Sequence, residues 1–388
     1  MQQKKRKLKL TLLLVSSLTI MSVITISPAL PQMAIAFGNV ENAAFLVKLV
    51  LTLPALMIAI CSPVAGVLID RYGRIKILQL SLILYAISGS AGYFLDNIYY
   101  ILASRALLGI AVGMSMTIVI TLIADYFEGM ERQKFVGLQI AFMSVASILF
   151  VGLAGILSDF GWKYPFLIYL FSLVVLPLTF TFLHEPAKIE KQNLVNQDVK
   201  APGLIWMLFI NIMLMWIIFF LIPVQIPFLL KALGIQKNAL VGAAIAISTG
   251  FSALSSFSYA RIKNRLSFLA VFSIGYLLLA AGFLSVSVSN NYVLVIVGMI
   301  LSGLGVGMLI PNTNMWVMKM APPQIRGKEI GKLTTFWFLG QFLSPVIIFP
   351  VLNIFSLSST FMLAAAVLLM IAVTFFILHF SNLERSLA

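Results

Sequence analysis

Twelve separate runs of this chain stay apolar for about twenty residues or more, and that leaves few possible folds. Backbone N–H and C=O groups in hydrocarbon must bond within their own segment, so each run is expected to be a helix. At 1.5 Å per residue, about twenty residues cross a ~30 Å bilayer core. The predicted helices are roughly 10–37, 44–69, 76–95, 98–123, 134–158, 163–183, 203–230, 238–260, 266–288, 292–318, 329–353 and 357–380. Only 10% of the residues are charged, whereas a soluble domain carries about a quarter. A water-soluble core is thereby excluded.

The charges place the loops. Of 26 lysines and arginines, 21 fall in the tails and in alternate loops that would share one membrane face. Four, Lys48, Lys163, Lys231 and Lys237, fall on the other face, and Arg105 lies inside the fourth run. Positive charge stays inside, so both termini are expected in the cytoplasm. The same rule accounts for the net charge of +14 without nucleic acid. The basic stretch Lys4–Lys7 could lead a secretory signal, but the run behind it is too long and comparable runs follow. Cys61 is the single cysteine, so no intrachain disulfide can form.

The two halves repeat at one shift of 194 residues. Asp70-Arg71 recurs as Asn264-Arg265, the Gly109/Gly113 pair as Gly303/Gly307, and Arg132 with Gly137 as Arg326 with Gly331. Two six-helix halves, 1–183 and 203–388, are therefore expected around a polar linker, 184–202, with a symmetry axis along the membrane normal.

The densest charge lies in Gly66-Val-Leu-Ile-Asp70-Arg71-Tyr-Gly73-Arg74-Ile-Lys76. Gly66 would admit another backbone one turn before Asp70, and Gly73 would allow a positive φ in a short turn. This pattern resembles the loop between helices 2 and 3 of the major facilitator superfamily. Arg105-Ala-Leu-Leu-Gly109-Ile-Ala-Val-Gly113 resembles its helix 4. Asp125 to Arg132, Pro322-Pro323-Gln-Ile-Arg326-Gly327 and Gly340 to Pro345 resemble further segments of both halves.

The resemblance implies an all-α membrane protein with the major facilitator fold, twelve transmembrane helices working by alternating access, and no enzyme activity. It implies a gate built from Gly66, Asp70, Arg71, Gly73, Arg74, Asp125 and Arg132, with Asp70 facing the start of the eleventh helix near Lys328 and Arg74 paired with Asp125. A carboxylate suits a helix amino terminus, where free N–H groups and the dipole favour it. For Arg105 the resemblance implies a role in substrate or proton coupling, while the residues alone leave open a carbonyl-capping role. No Asp or Glu falls in the middle of a run, and Asp96 and Asp159 sit at external ends. Coupling candidates are therefore Arg105, Asp70, Asp125 and Glu128; otherwise transport is uncoupled.

The implied cavity is lined by the first, fourth, seventh and tenth helices, with parts of the second, fifth, eighth and eleventh. Its polar and aromatic candidates are Ser22, Thr25, Asn211, Trp216, Gln225, Asn312, Asn314, Trp337 and Gln341. Each could equally bond across helices as packing. Together they describe an apolar, aromatic site with neutral hydrogen-bonding groups, suited to amphipathic neutral or anionic molecules. The fifth-helix motif of the family's exporters, G-x-x-x-G-P-x-x-G-G, is met here by Ala146, Phe150, Val151, Ala154 and Gly155, so no proline kink is expected.

Neither a G-x-x-x-x-G-K-[ST] loop nor a His/Cys/Glu metal cluster occurs in the sequence, so neither ATP drive nor a metal or cofactor is expected. The leading expectation is an exporter exchanging amphipathic small molecules for protons, nearest in pattern to the 12-helix drug:proton antiporter branch. It would act as a monomer in the cell inner (plasma) membrane, with substrate, protons and the lipid bilayer as its partners. The alternative is a specific carrier for a metabolite, siderophore or lipid, coupled or not. A third reading is a membrane sensor or assembly partner that moves nothing, although the short linker and tails leave little chain to relay a signal.

Overall fold

The structure, a computed structural model, describes residues 2–186 and 201–380, apart from the side chains of Gln2, Val67 and Asp70. Among the described residues, twelve spans are long and apolar enough to cross a membrane. The chain divides into two compact units, Met1–Lys200 and Ala201–Ala388.

In the first unit, α1 runs over Gln2–Ile24, breaks in a 3-10 turn at Ser27–Ala29 and resumes at Leu30–Ala36. Then come α2 (Ala43–Tyr72), α3 (Arg74–Phe94), α4 (Ile98–Tyr126) and α5 (Gly129–Phe160). Finally α6 opens as a 3-10 turn, Tyr164–Leu170, and continues over Phe171–Phe182. In the second unit, α7 is split into Leu204–Phe219 and Leu221–Ala232. It is followed by α8 (Asn238–Lys263), α9 (Phe268–Ser287), α10 (Tyr292–Met320), α11 (Arg326–Ile354) and α12 (Leu357–Phe380).

Several helices outrun the apolar segments that predict them. The first begins at Gln2 and the fifth at Gly129, because Lys, Arg, Gln and Glu are good helix formers and continue the spiral into water. Side-chain caps fix several starts. Asn97 Oδ1 accepts from Tyr99 N at 2.9 Å, Ser267 Oγ from Ala270 N at 3.1 Å, and Asn291 Oδ1 from Leu294 N at 2.9 Å. Helix α5 runs unbroken, in keeping with its lack of the motif's proline.

The 194-residue repeat is realised as the same contact made twice. A Cβ on Gly109 would lie 2.5 Å from the Pro54 carbonyl, and one on Gly113 would lie 3.4 Å from Ile58 Cα. In the second unit, a Cβ on Gly303 would lie 2.2 Å from the Ser248 carbonyl, and one on Gly307 2.2 Å from that of Ser252. All four partners obey the same shift. The glycines thus seat α4 on α2 and α10 on α8 at backbone distance, which in lipid takes the place of a hydrophobic driving force. Gly66 does not behave this way. A Cβ there would meet nothing within 4 Å among the described residues.

A second parallel ties the third helix of each unit to the first. Tyr85 Oη donates to the Leu18 carbonyl at 2.9 Å, and Tyr276 Oη to Asn211 Oδ1 at 2.9 Å. Both hydroxyls are fully buried, and pairing each with an oxygen avoids an unsatisfied group in hydrocarbon.

Candidate functional site

Gly73 joins α2 to α3 as a single residue at φ 89°, a conformation that glycine adopts without a Cβ penalty. The chain therefore turns within one residue and brings the Arg74 side chain to the end of α4. Arg74 Nε lies 2.7 Å from Asp125 Oδ2, with only 17% and 14% of the two side chains exposed. Sequence reasoning missed the next member. Glu185 accepts from Arg74 N at 2.7 Å and from Ile75 N at 2.9 Å, capping α3, and stands 3.8 Å from the Arg74 guanidinium. A carboxylate there meets both the free N–H groups and the positive dipole end. Tyr126 and His184 stack at 4.8 Å, and the His184 N–H donates to Tyr126 Oη at 3.1 Å. Residues expected to be linker are thus part of the cluster, because polar residues after an apolar run read as loop whether or not they dock.

The other gate candidates stand apart from this ion pair. Arg71 is exposed and lies 5.2 Å from its neighbour Tyr72's ring. Arg132 and Glu128 are exposed at the start of α5, and Glu128 makes no side-chain cap. The Asp70 side chain lies outside the described residues. Glu131, also missed, pairs with Lys5 at 2.9 Å and Lys9 at 2.8 Å, tying α5 to α1.

Arg105 is fully buried seven residues into α4. Its Nη2 donates to the Ser88 carbonyl at 2.9 Å and also to that of Gly89. The Phe166 and Tyr169 rings each lie 4.9 Å from the guanidinium carbon. Gly89 and Gly92 make the room, since a Cβ at either would fall inside the Tyr169 or Phe166 side chain, at 2.4 and 2.0 Å. In this arrangement the guanidinium holds α3, α4 and α6 together. Lys48, counted on the outer face, is buried in the second turn of α2.

The cavity candidates separate into three groups. Ser22 and Thr25 donate to carbonyls of their own helix, those of Thr19 and Met21. Asn211 accepts from Tyr276, and Asn312 bridges Tyr259 Oη and the Phe268 carbonyl, both at 3.0 Å; these amides are packing groups. Trp216 on α7 and Trp337 on α11 stack at 4.6 Å. Gly340 permits this, because a Cβ there would lie 2.6 Å from the Met213 carbonyl and 2.9 Å from Trp216 Cβ. Gln341, four residues after Trp337, is buried nearby on the same helix. Among the described residues, Trp216 Nε1 and Gln341 Oε1 are both buried with no hydrogen-bond partner. Gln225 is buried on the second piece of α7, and Asn314 is half-buried on α10.

Two features were not anticipated. The first helix of each unit is interrupted at matching places, Thr25–Ala29 in α1 and Phe220 in α7. Pro28 and Pro223 were the available signals. Interrupted helices at corresponding positions of two repeats point to a transport site. The other is Glu329, 2% exposed and 2.8 Å from Lys332 on α11. Lys332 in turn lies 5.8 Å from the Trp206 ring of α7.

Comparison with known proteins decides the family. The family model of the Major Facilitator Superfamily matches residues 12–345 and, separately, 208–386. The chain belongs to the major facilitator superfamily. Among superfamily relatives, the Bacillibactin exporter of Bacillus subtilis is 27% identical over 344 residues, covering 82% of this chain and 83% of that one. A multi-drug resistance efflux pump of Streptococcus pneumoniae is 26% identical over 345 residues, covering 83% and 84%. Of solved superfamily folds, a D-xylose-proton symporter matches with a TM-score of 0.78 at 17% identity, over 95% of this chain and 96% of that one. The xylose transporter of E. coli in an inward open conformation gives 0.75 at 18% identity, over 95% of each. The superfamily assignment makes this a membrane transporter of small molecules and not an enzyme.

Proposed function

We propose that this transporter exports amphipathic, neutral or anionic small molecules by alternating access, in exchange for protons, with both termini in the cytoplasm of the plasma membrane. The observation that carries the substrate reading is the Trp216–Trp337 stack beside Gln341, whose buried indole N–H and amide oxygen are unpartnered. An aromatic face with one free donor and one free acceptor suits a flat apolar body with a polar edge. Export is supported by relatives named as an exporter and an efflux pump, which align with more than four-fifths of the chain.

Proton exchange needs a group that can be charged or neutral away from bulk water. Glu329 supports it: among the described residues it is the buried carboxylate, and its ion-pair partner is Lys332. The gate expected around Asp70, Arg74 and Asp125 would then set which side is open. A siderophore-type substrate is the second reading, favoured by the relative named Bacillibactin exporter.

Inside-out vesicles test the substrate reading. ATP-independent accumulation of fluorescent amphipathic anions, lost in Trp337→Ala, is the expected result. Accumulation of cationic dyes alone, unchanged in that variant, would remove it.

A further inference from the structure

The cytoplasmic turns of the two units are built on the same positions with opposite chemistry. At the 194-residue shift, Asp70 becomes Asn264, Asp125 becomes Lys319 and Glu185 becomes His379. Every acid of the first unit's cluster is replaced by a neutral or basic residue. Arg74 becomes Phe268, whose ring lies 3.9 Å from the Lys263 ammonium and 6.0 Å from that of Lys319. Where Glu185 caps α3 directly, His379 Nδ1 lies 2.9 Å from Ser267 Oγ, and that hydroxyl caps α9. The second unit's turn, 264–267 between α8 and α9, is longer than the single Gly73 of the first and carries no acid.

The consequence extends along the unit. Residues 201–380 carry nine lysines and arginines and one acid, Glu329, which is buried against Lys332. Arg261 and Arg265, four apart at the end of α8, are exposed and have no carboxylate partner among the described residues. With Ile262 and Asn264 they line a cavity of about 470 Å3 that lies wide open at the surface. We propose that this cavity holds the phosphodiester headgroup of an anionic phospholipid from the leaflet at that membrane face. Guanidinium groups match a phosphate's oxygens in pairs, the Asn264 amide adds a donor, and Ile262 offers an apolar side to the acyl linkage. Basic pockets beside membrane helices recognise such headgroups. At the matching positions the first unit has Arg71 for Arg265 but Val67 for Arg261 and Asp70 for Asn264, so it offers one arginine next to an acid where the second unit offers two beside an amide.

This inference concerns lipid occupancy and stands independently of the transported substrate, so its test reads binding and no flux. The full-length protein in mild detergent is titrated with phosphatidylglycerol, phosphatidylcholine or inorganic phosphate while bound lipid is counted by native mass spectrometry. Phosphatidylglycerol should be retained selectively. Arg261→Gln/Arg265→Gln should bind it at least about tenfold more weakly, since each surface cation at an anionic leaflet is worth roughly fivefold. Lys231→Gln/Lys237→Gln removes the same charge beyond the far end of α8 and should bind normally. Asn264→Asp keeps both arginines and restores the acid found at position 70; it should also release the lipid, which guards against misfolding of the double variant. Retention unchanged in the double variant or in Asn264→Asp would overturn the proposal and leave the cations with topology alone. Full competition by inorganic phosphate would overturn it in favour of a soluble anion.

Discussion

Arg74 and Asp125 meet across 2.7 Å, and the residues 194 positions later, Phe268 and Lys319, meet as ring and ammonium at 6.0 Å. One unit closes its turn with an ion pair and a carboxylate cap, the other with a cation over a ring and a hydroxyl cap. The first depends on charge neutralisation; the second does not.

Removing that charge should therefore affect the first unit. Asp125→Asn is expected to cost about 1–3 kcal/mol, the range for hydrogen bonds involving charged groups. Glu185→Gln should cost about 1 kcal/mol, as for loss of a helix cap. Both are read as midpoint shifts in thermal unfolding of the purified protein. Phe268→Leu, by comparison, should change stability without altering its dependence on salt.

Glycine substitutions should divide by what their Cβ meets. Gly303→Ala and Gly307→Ala drive a methyl to 2.2 Å from a backbone carbonyl and should cost roughly 1–3 kcal/mol, as overpacking does. Gly113→Ala, at 3.4 Å, should be milder. Gly66→Ala and Gly331→Ala meet nothing and should stay within about 0.5 kcal/mol of the parent. A melting series over these five variants would disprove the repeated-contact account if Gly66→Ala ranked with Gly303→Ala.

Arg105→Ala removes the charged donor shared by the Ser88 and Gly89 carbonyls and the contacts with the Phe166 and Tyr169 rings; a hydrogen bond involving a charged group is worth about 1.5–3 kcal/mol. The variant should express poorly and melt early. Arg105→Lys should recover only part of this, because an ammonium lacks the planar fork that lies between the Phe166 and Tyr169 rings. A lysine variant of full stability but no transport would instead favour a coupling role.

Gln341→Leu separates substrate contact from packing. Its amide oxygen is buried without a partner, so an apolar replacement should leave stability equal or higher while raising KM for export. Unchanged KM would remove Gln341 from the substrate site.

The fold was legible because lipid enforces it. Apolar run length predicts each span, and the repeat at fixed shift predicts two like halves; that its glycines seat α4 and α10 shows only in the packing. The Arg74–Asp125 pair came from the motif. Glu185 did not, because its role depends on the chain folding back after α6, and nothing local in His184-Glu185 encodes that return. Glu329 was hidden for another reason. It opens α11 in a stretch with Arg326, Lys328 and Lys332, and such a stretch reads as a solvated helix end until the packing against α7 is seen. Asn211 and Asn312 looked like cavity groups and proved to be joints, since sequence gives the amide but not its partner.

The central claim is that export is driven by protons entering through a buried carboxylate, and flux in proteoliposomes under an imposed pH gradient tests it most directly. The account predicts substrate movement against its own gradient, abolished by a protonophore, with Glu329→Gln retaining only downhill flux. Downhill flux alone in the unmutated protein, indifferent to the pH gradient, would contradict it.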